Sequence, residues 1–80
     1  MKNEIITVDG SKWLVREAES MDAALDEIAM ARVTGSVGGK STVRDVSIHE
    51  WYGKTEGAER VIADVVRLND DGTERKPYAA

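Results

Sequence analysis

The chain has 80 residues, no cysteine, one histidine and a formal net charge of −4. This length predicts a single domain over residues 1–80 with one modest core. The absence of cysteine excludes disulfides and thiolate metal sites. So small a core with so few reactive groups favours a non-enzymatic protein, and we expect no cofactor, metal or small-molecule substrate. We predict no signal peptide or membrane span, and we expect a cytoplasmic location.

Residues 4–17 have the pattern of a β-hairpin. Two runs rich in Ile, Val, Trp and Leu flank Asp9 and Gly10, a pair that favours a type I′ turn. If Val8 pairs with Ser11 across the turn, four apolar side chains share one face of the hairpin. We predict that this is the core face: Ile6, Val8, Trp13 and Val15.

A helix is predicted to begin after Ser20, whose hydroxyl is a good N-cap. Gly35 can adopt the left-handed conformation that ends a helix. Apolar residues recur between them at helical spacing and predict a buried stripe of Met21, Ala24, Leu25, Ile28 and Ala31.

Residues 35–41 are rich in glycine, and we predict a flexible loop there. Gly38-Gly39-Lys40-Ser41-Thr42 is similar to the end of a phosphate-binding P-loop, but Thr34 stands where that motif needs its first glycine. The order is also reversed, because the loop leaves a helix and enters a predicted strand over 42–52. A connector is therefore favoured.

Residues 58–68 fit either a helix or a strand, since their apolar spacing is helical but the residues are β-branched. The hairpin-type turn that follows, 69–73, favours strands over 60–68 and 73–78. The predicted fold is therefore α+β: an antiparallel sheet of about five strands in the order β-β-α-β-β-β, with one amphipathic helix packed on one face.

The segment between Arg16 and Arg32 holds five acidic residues and no basic one. Asp22 and Asp26 lie one helical turn apart on a shared face, with Glu27 beside them. The helix macrodipole accounts for part of this pattern, and a simple solvated face is the structural alternative. Such charge density also favours docking on a basic surface. We predict a partner-binding surface made of Glu19, Asp22, Asp26 and Glu27.

His49 and Trp51 form a second candidate patch. On a strand they point to the same side, whereas Glu50 and Tyr52 point to the other, so His49 and Glu50 do not act as a pair. With a single histidine, no His-based metal site is predicted. The structural alternative places His49 half-exposed and Trp51 over the sheet face opposite the helix. In the functional alternative, Trp51 anchors a partner.

The combination of these features resembles the small phage-encoded inhibitors of bacterial immunity, the anti-CRISPR proteins. The features that carry the resemblance are the hairpin ending in Trp13-Leu14-Val15, the helix from Ser20 and the acids Asp22, Asp26 and Glu27. It implies an inhibitor that binds a host RNA-guided effector complex in the host cytoplasm. Because such complexes hold nucleic acid in positively charged channels, acids on the inhibitor would block the DNA-binding site.

Other classes of function stay open from the sequence alone. A structural or regulatory homo-oligomer, such as an antitoxin-like subunit, would use an exposed edge strand near 73–78 and the face bearing Trp51. Direct nucleic-acid binding is disfavoured by the acidic composition, although Lys40 and Arg44 could touch an anionic partner. We expect a monomer or homodimer that binds a protein complex with a basic surface.

Overall fold

The computed structural model describes residues 1–44 and 59–76. These residues form one helix, α1 (Met21–Thr34), and four strands: β1 (Lys2–Val8), β2 (Ser11–Ala18), β3 (Gly38–Arg44) and β4 (Glu59–Arg67). The strands make one antiparallel sheet in the order β1-β2-β4-β3. The predicted α+β class is confirmed.

The β1–β2 hairpin has the predicted register. Val8 pairs with Ser11, and Ile6 pairs with Trp13. Asp9 and Gly10 have φ angles of 48° and 80°, the two positive values that a type I′ turn requires. This turn fixes which side chains leave each face of β2, and it brings Trp13 to the core.

The helix begins and ends where the sequence predicts. Ser20 Oγ accepts a hydrogen bond from the Ala23 amide at 3.1 Å, and Gly35 takes a φ of 72°. Both features complete the backbone hydrogen bonding of the helix ends. The two caps therefore stabilise α1 as a helix from its first turn to its last.

The buried stripe of α1 is narrower than predicted. Ala24, Ile28 and Ala31 are buried, but Met21 and Leu25 are 44% and 39% exposed. Leu25 is turned by about 100° from Ala24 around the helix axis, and Met21 lies in the first turn, at the end of the stripe. The assignment of these two residues to the core is therefore wrong.

Strands and helix share one apolar core. The stripe of α1 belongs to the same buried cluster as Trp13 and Val15, both of which are 0% exposed. Ile6 and Val8 are partly buried and pack against this cluster, as their predicted face requires. The other buried members come from β2 and β4: Ala18, Ala63 and Val65.

The bounds of β3 and β4 decide between helix and strand within residues 58–68 and correct the predicted loop over 35–41. Residues 59–67 form a strand, not a helix. β3 begins at Gly38 rather than at Thr42, so most of the predicted loop 35–41 is paired with β4. At Gly38 a Cβ atom would lie 2.9 Å from the Val65 carbonyl oxygen, so glycine allows close strand pairing there. Residues 45–52 of the predicted strand lie outside the described residues.

The predicted turn over 69–73 is present, but up to Lys76 it leads to one bridge, Leu68 to Glu74, and not to a fifth strand. Gly72 has a φ of 89°, and the Arg75 amide donates to the Arg67 carbonyl at 2.9 Å. The turn is held by its own side chains, since the hydroxyl and amide of Thr73 donate to Asp71. These bonds hold the pKa of Asp71 below its ordinary value. Residues 77 and 78 lie outside the described part.

We expect Ile28→Ala to lower the free energy of unfolding by about 2–5 kcal/mol, because Ile28 is fully buried. Met30→Ala is a matched control on the same helix, since Met30 is 61% exposed, and it should change stability by less than about 0.5 kcal/mol. Urea unfolding followed by circular dichroism measures both. Equal losses in the two variants would contradict this placement of the core.

Candidate functional site

The surface of α1 that faces solvent combines acidic and apolar side chains. The buried stripe fixes the rotation of the helix, so residues on its far side point away from the core. Val33 and Met30 are 84% and 61% exposed there. We define the outer face of α1 as five exposed residues: Asp22, Leu25, Asp26, Met30 and Val33.

Asp22 and Asp26 supply the charge of the outer face. Both are exposed and lie one helical turn apart. Within residues 1–44 and 59–76, neither carboxylate forms an ion pair. These two carboxylates lie next to exposed apolar side chains. Such a surface can bind Lys or Arg, because the charged end pairs with a carboxylate while the apolar stem packs on the apolar groups.

Glu19 differs from Asp22 and Asp26 because it has an ion-pair partner. Its carboxylate forms a salt bridge with Arg60 of β4, and both side chains are partly exposed. An exposed pair of this kind contributes about 0–1 kcal/mol to stability. The charge of Glu19 is therefore partly compensated, unlike the charges of Asp22 and Asp26.

Glu27 is turned toward the sheet and does not extend the outer face. It follows Asp26 by one residue and is rotated by about 100° around the helix. Ser41 Oγ of β3 donates to Glu27 Oε2 at 2.6 Å. A Cβ atom on Gly39 would lie 2.6 Å from Glu27 Oε1, so the glycine makes room for this carboxylate. The structure thus brings Asp22 and Asp26 together and gives Glu27 a contact between α1 and β3.

The other predicted site residues, His49 and Trp51, lie outside the described residues, and their role stays a prediction. Met30 and Val33 are the residues that the sequence analysis missed. Both fall away from the buried stripe on a helical projection, and apolar residues at such positions were the available signal. The hydrogen bond between Glu27 and Ser41 could not be predicted from neighbouring residues in the sequence, because it joins α1 to β3.

The described side chains include no group of three or more His, Cys, Asp or Glu residues that could hold a metal ion. In the same part of the chain, no helix combines the length and apolar character needed to cross a membrane. Comparison of the chain with protein-family models, curated proteins and solved structures found no match.

A double-mutant cycle tests the different positions of the two neighbouring acids. Glu27→Ala and Ser41→Ala should couple by about 1 kcal/mol, because each change leaves the same hydrogen bond unmade. Asp26→Ala with Ser41→Ala is the matched control and should show additive effects. Urea unfolding of the variants gives the coupling free energies. Coupling of Ser41 to Asp26 but not to Glu27 would contradict the described arrangement.

Proposed function

We propose that this chain is a non-enzymatic binding protein that docks the outer face of α1 on a basic surface of a protein complex and inhibits that complex. The observation that carries the proposal is the pairing of charge and apolar exposure on one helix face. Asp22 and Asp26 have no cationic partner among the described residues, and Met30 and Val33 lie exposed on the same side.

The energetics of such a face suit a docking surface. Burial of apolar area stabilises a complex by about 25 cal/mol per Å². Met30 and Val33 would therefore contribute to the free energy of binding when a partner covers them. The acids would accelerate encounter with a basic partner and fix its orientation. Because Ser20 and Gly35 cap both ends of α1, the face is ordered before binding, which reduces the entropy that association costs.

The partner class follows from charge complementarity. Basic surfaces that are extended and accessible are typical of complexes that bind nucleic acid. We propose a host RNA-guided effector complex, whose positively charged channel for nucleic acid would accept the acids of the outer face. The chain would then act in the cytoplasm, as a phage or mobile-element inhibitor that occupies the DNA-binding site of the complex. The α1 residues support this proposal, and the unplaced patch of His49 and Trp51 would add to it.

Charge reversal of the outer face tests this proposal. The double variant Asp22→Lys and Asp26→Lys should weaken binding by at least about tenfold, since it places cations against cations. The control is Glu4→Lys with Asp70→Lys, which changes the net charge equally at exposed positions away from α1. Tagged protein is incubated with nuclease-treated host lysate, and a recovered complex is purified and assayed for target-DNA binding.

Support requires a stoichiometric nucleic-acid-handling complex whose DNA binding the chain blocks, with loss on reversal of the outer face and retention in the control. Equal binding by both double variants would overturn the assignment of this face. A recovered complex that still binds its DNA would overturn the inhibitor proposal. Recovery of the bait with copies of itself alone would favour the alternative below.

A homo-oligomeric accessory protein is the second candidate, and the sheet edge favours it. β1 lies at one edge of the described sheet, and its Ile5 is 62% exposed. An exposed strand edge with an apolar side chain can pair with a second copy. If this function holds, sedimentation analysis should show a dimer that Ile5→Lys converts to monomer. A monomer in the unmodified chain at all concentrations would exclude it.

A further inference from the structure

A cavity of about 410 Å³ lies at the carboxyl end of α1 and is lined by four basic residues. They are Arg32 at the end of the helix, Arg67 of β4, and Arg75 and Lys76 after the last turn. No acidic residue is among its lining, although the chain carries a net charge of −4. The volume falls in the range of roughly 300–1,000 Å³ that is typical of small-molecule sites.

Among the described residues, one of these cations has an ion-pair partner. Arg32 lies in the last turn of α1, where a cation is favoured, and its guanidinium pairs with Asp9 at 2.6 Å. Arg67, Arg75 and Lys76 form no ion pair with any described residue. Three like charges that converge without an anion repel one another, and this repulsion is removed when an anion binds.

Backbone structure holds the three cations around the cavity. Arg67 pairs directly with Trp13 across β2 and β4, so both side chains leave the same face of the sheet. The amide of Arg75 donates to the carbonyl of Arg67 at 2.9 Å, which brings the chain back over the end of β4. The turn over 69–73 therefore places Arg75 and Lys76 beside Arg67 at the cavity.

Trp13 supplies a second observation at the same place. It lines the cavity, and its Nε1 is buried without an acceptor among the described residues. A buried donor without a partner is unfavourable for the fold. Because the ring is fully buried, a ligand in the cavity changes the surroundings of the indole without touching Nε1 directly.

We propose that the cavity binds a small phosphorylated molecule through a diphosphate group, with Arg67, Arg75 and Lys76 as its charged ligands. The two guanidinium groups match the geometry of phosphate oxygens, and a multiply charged diphosphate compensates three cations where a single carboxylate leaves most of the charge unpaired. This site is distinct from the outer face of α1 and shares no residue with it, so the two proposals fail or stand separately.

A small molecule fits the distribution of charge better than a nucleic acid does. A polynucleotide needs cations spread along a groove. Arg75 and Lys76 also line a neighbouring cavity, but the acids Asp64 and Glu74 line that cavity as well and oppose a polyanion there. Two arginines outside the cavity lining are paired with acids: Arg16 with Asp64 and Glu74, and Arg60 with Glu19. The unpaired acids of the outer face and the net negative charge oppose a long polyanion.

The test uses the indole N–H resonance of Trp13 in the 15N-labelled full chain. Trp51→Phe leaves Trp13 as the single tryptophan, since the chain has two. Inorganic pyrophosphate and a nucleoside diphosphate should each shift this resonance saturably, and the corresponding nucleoside should not. Stronger binding of the nucleoside diphosphate would show that the cavity also holds an organic group. Stronger binding of pyrophosphate would restrict the site to the anion. Calorimetry on the unmodified chain measures the same Kd without the Trp51 substitution.

Arg75→Gln and Lys76→Gln should each raise the Kd by about tenfold or more. Lys2→Gln is the matched control, because it removes one charge from an exposed residue of β1 that does not line the cavity, and it should leave the Kd unchanged. Absence of saturable binding, an unmoved Trp13 resonance, or an equal Kd in all three variants would overturn the proposal. Tighter binding of a short single-stranded oligonucleotide, with a steep salt dependence, would replace it with a nucleic-acid site.

Discussion

The burial of Trp13 among small side chains is the constraint on which the rest of the structure depends. Its ring is 0% exposed, and four alanines belong to the same buried cluster: Ala18, Ala24, Ala31 and Ala63. Alanine permits a close approach of helix and strands, and one large ring then fills volume that many medium-sized side chains would otherwise occupy. The chain reaches a packed core without any phenylalanine because this one residue is so centrally placed.

The same packing determines what the surface displays. With Ala24, Ile28 and Ala31 inside, α1 has no freedom to rotate, so Met30 and Val33 must face outward. Glu27 falls between the two sides and meets β3, where Gly39 leaves room for its carboxylate. At the carboxyl end of the helix, the chain returns beside Trp13 and gathers basic residues from β4 and the following turn. Both candidate sites are therefore consequences of one core arrangement.

Local signals predicted the parts of the fold that local interactions decide. The Asp9–Gly10 turn, the Ser20 cap and the Gly35 cap each follow from backbone preferences of a few neighbouring residues. The predicted loop is wrong at Gly38 and Gly39, because these glycines make room for Val65 and Glu27, which only the tertiary structure brings beside them. The acidic set was divided for the same reason: helical spacing places Asp22 and Asp26 together, but it gives no hint of Arg60 or Ser41 as partners for the other two acids.

Charge is separated along α1 further than helix stability requires. Asp22 in the first turn and Arg32 in the last turn suit the macrodipole, which accounts for the sign of the charge at each end. Arg67, Arg75 and Lys76 belong to β4 and the segment after it, and they add positive charge at the cavity. Arg32 is already paired with Asp9, so these cations do not compensate any charge there. Like charges without an ion-pair partner among the described residues repel one another, and the two proposals give each end a binding partner: a basic surface for the acids and an anion for the cations. An anion in the cavity would remove that repulsion and would also make the molecule more negative as a whole. Occupation of the cavity would then strengthen the long-range attraction of the outer face to a basic partner, within the reach that salt screening allows.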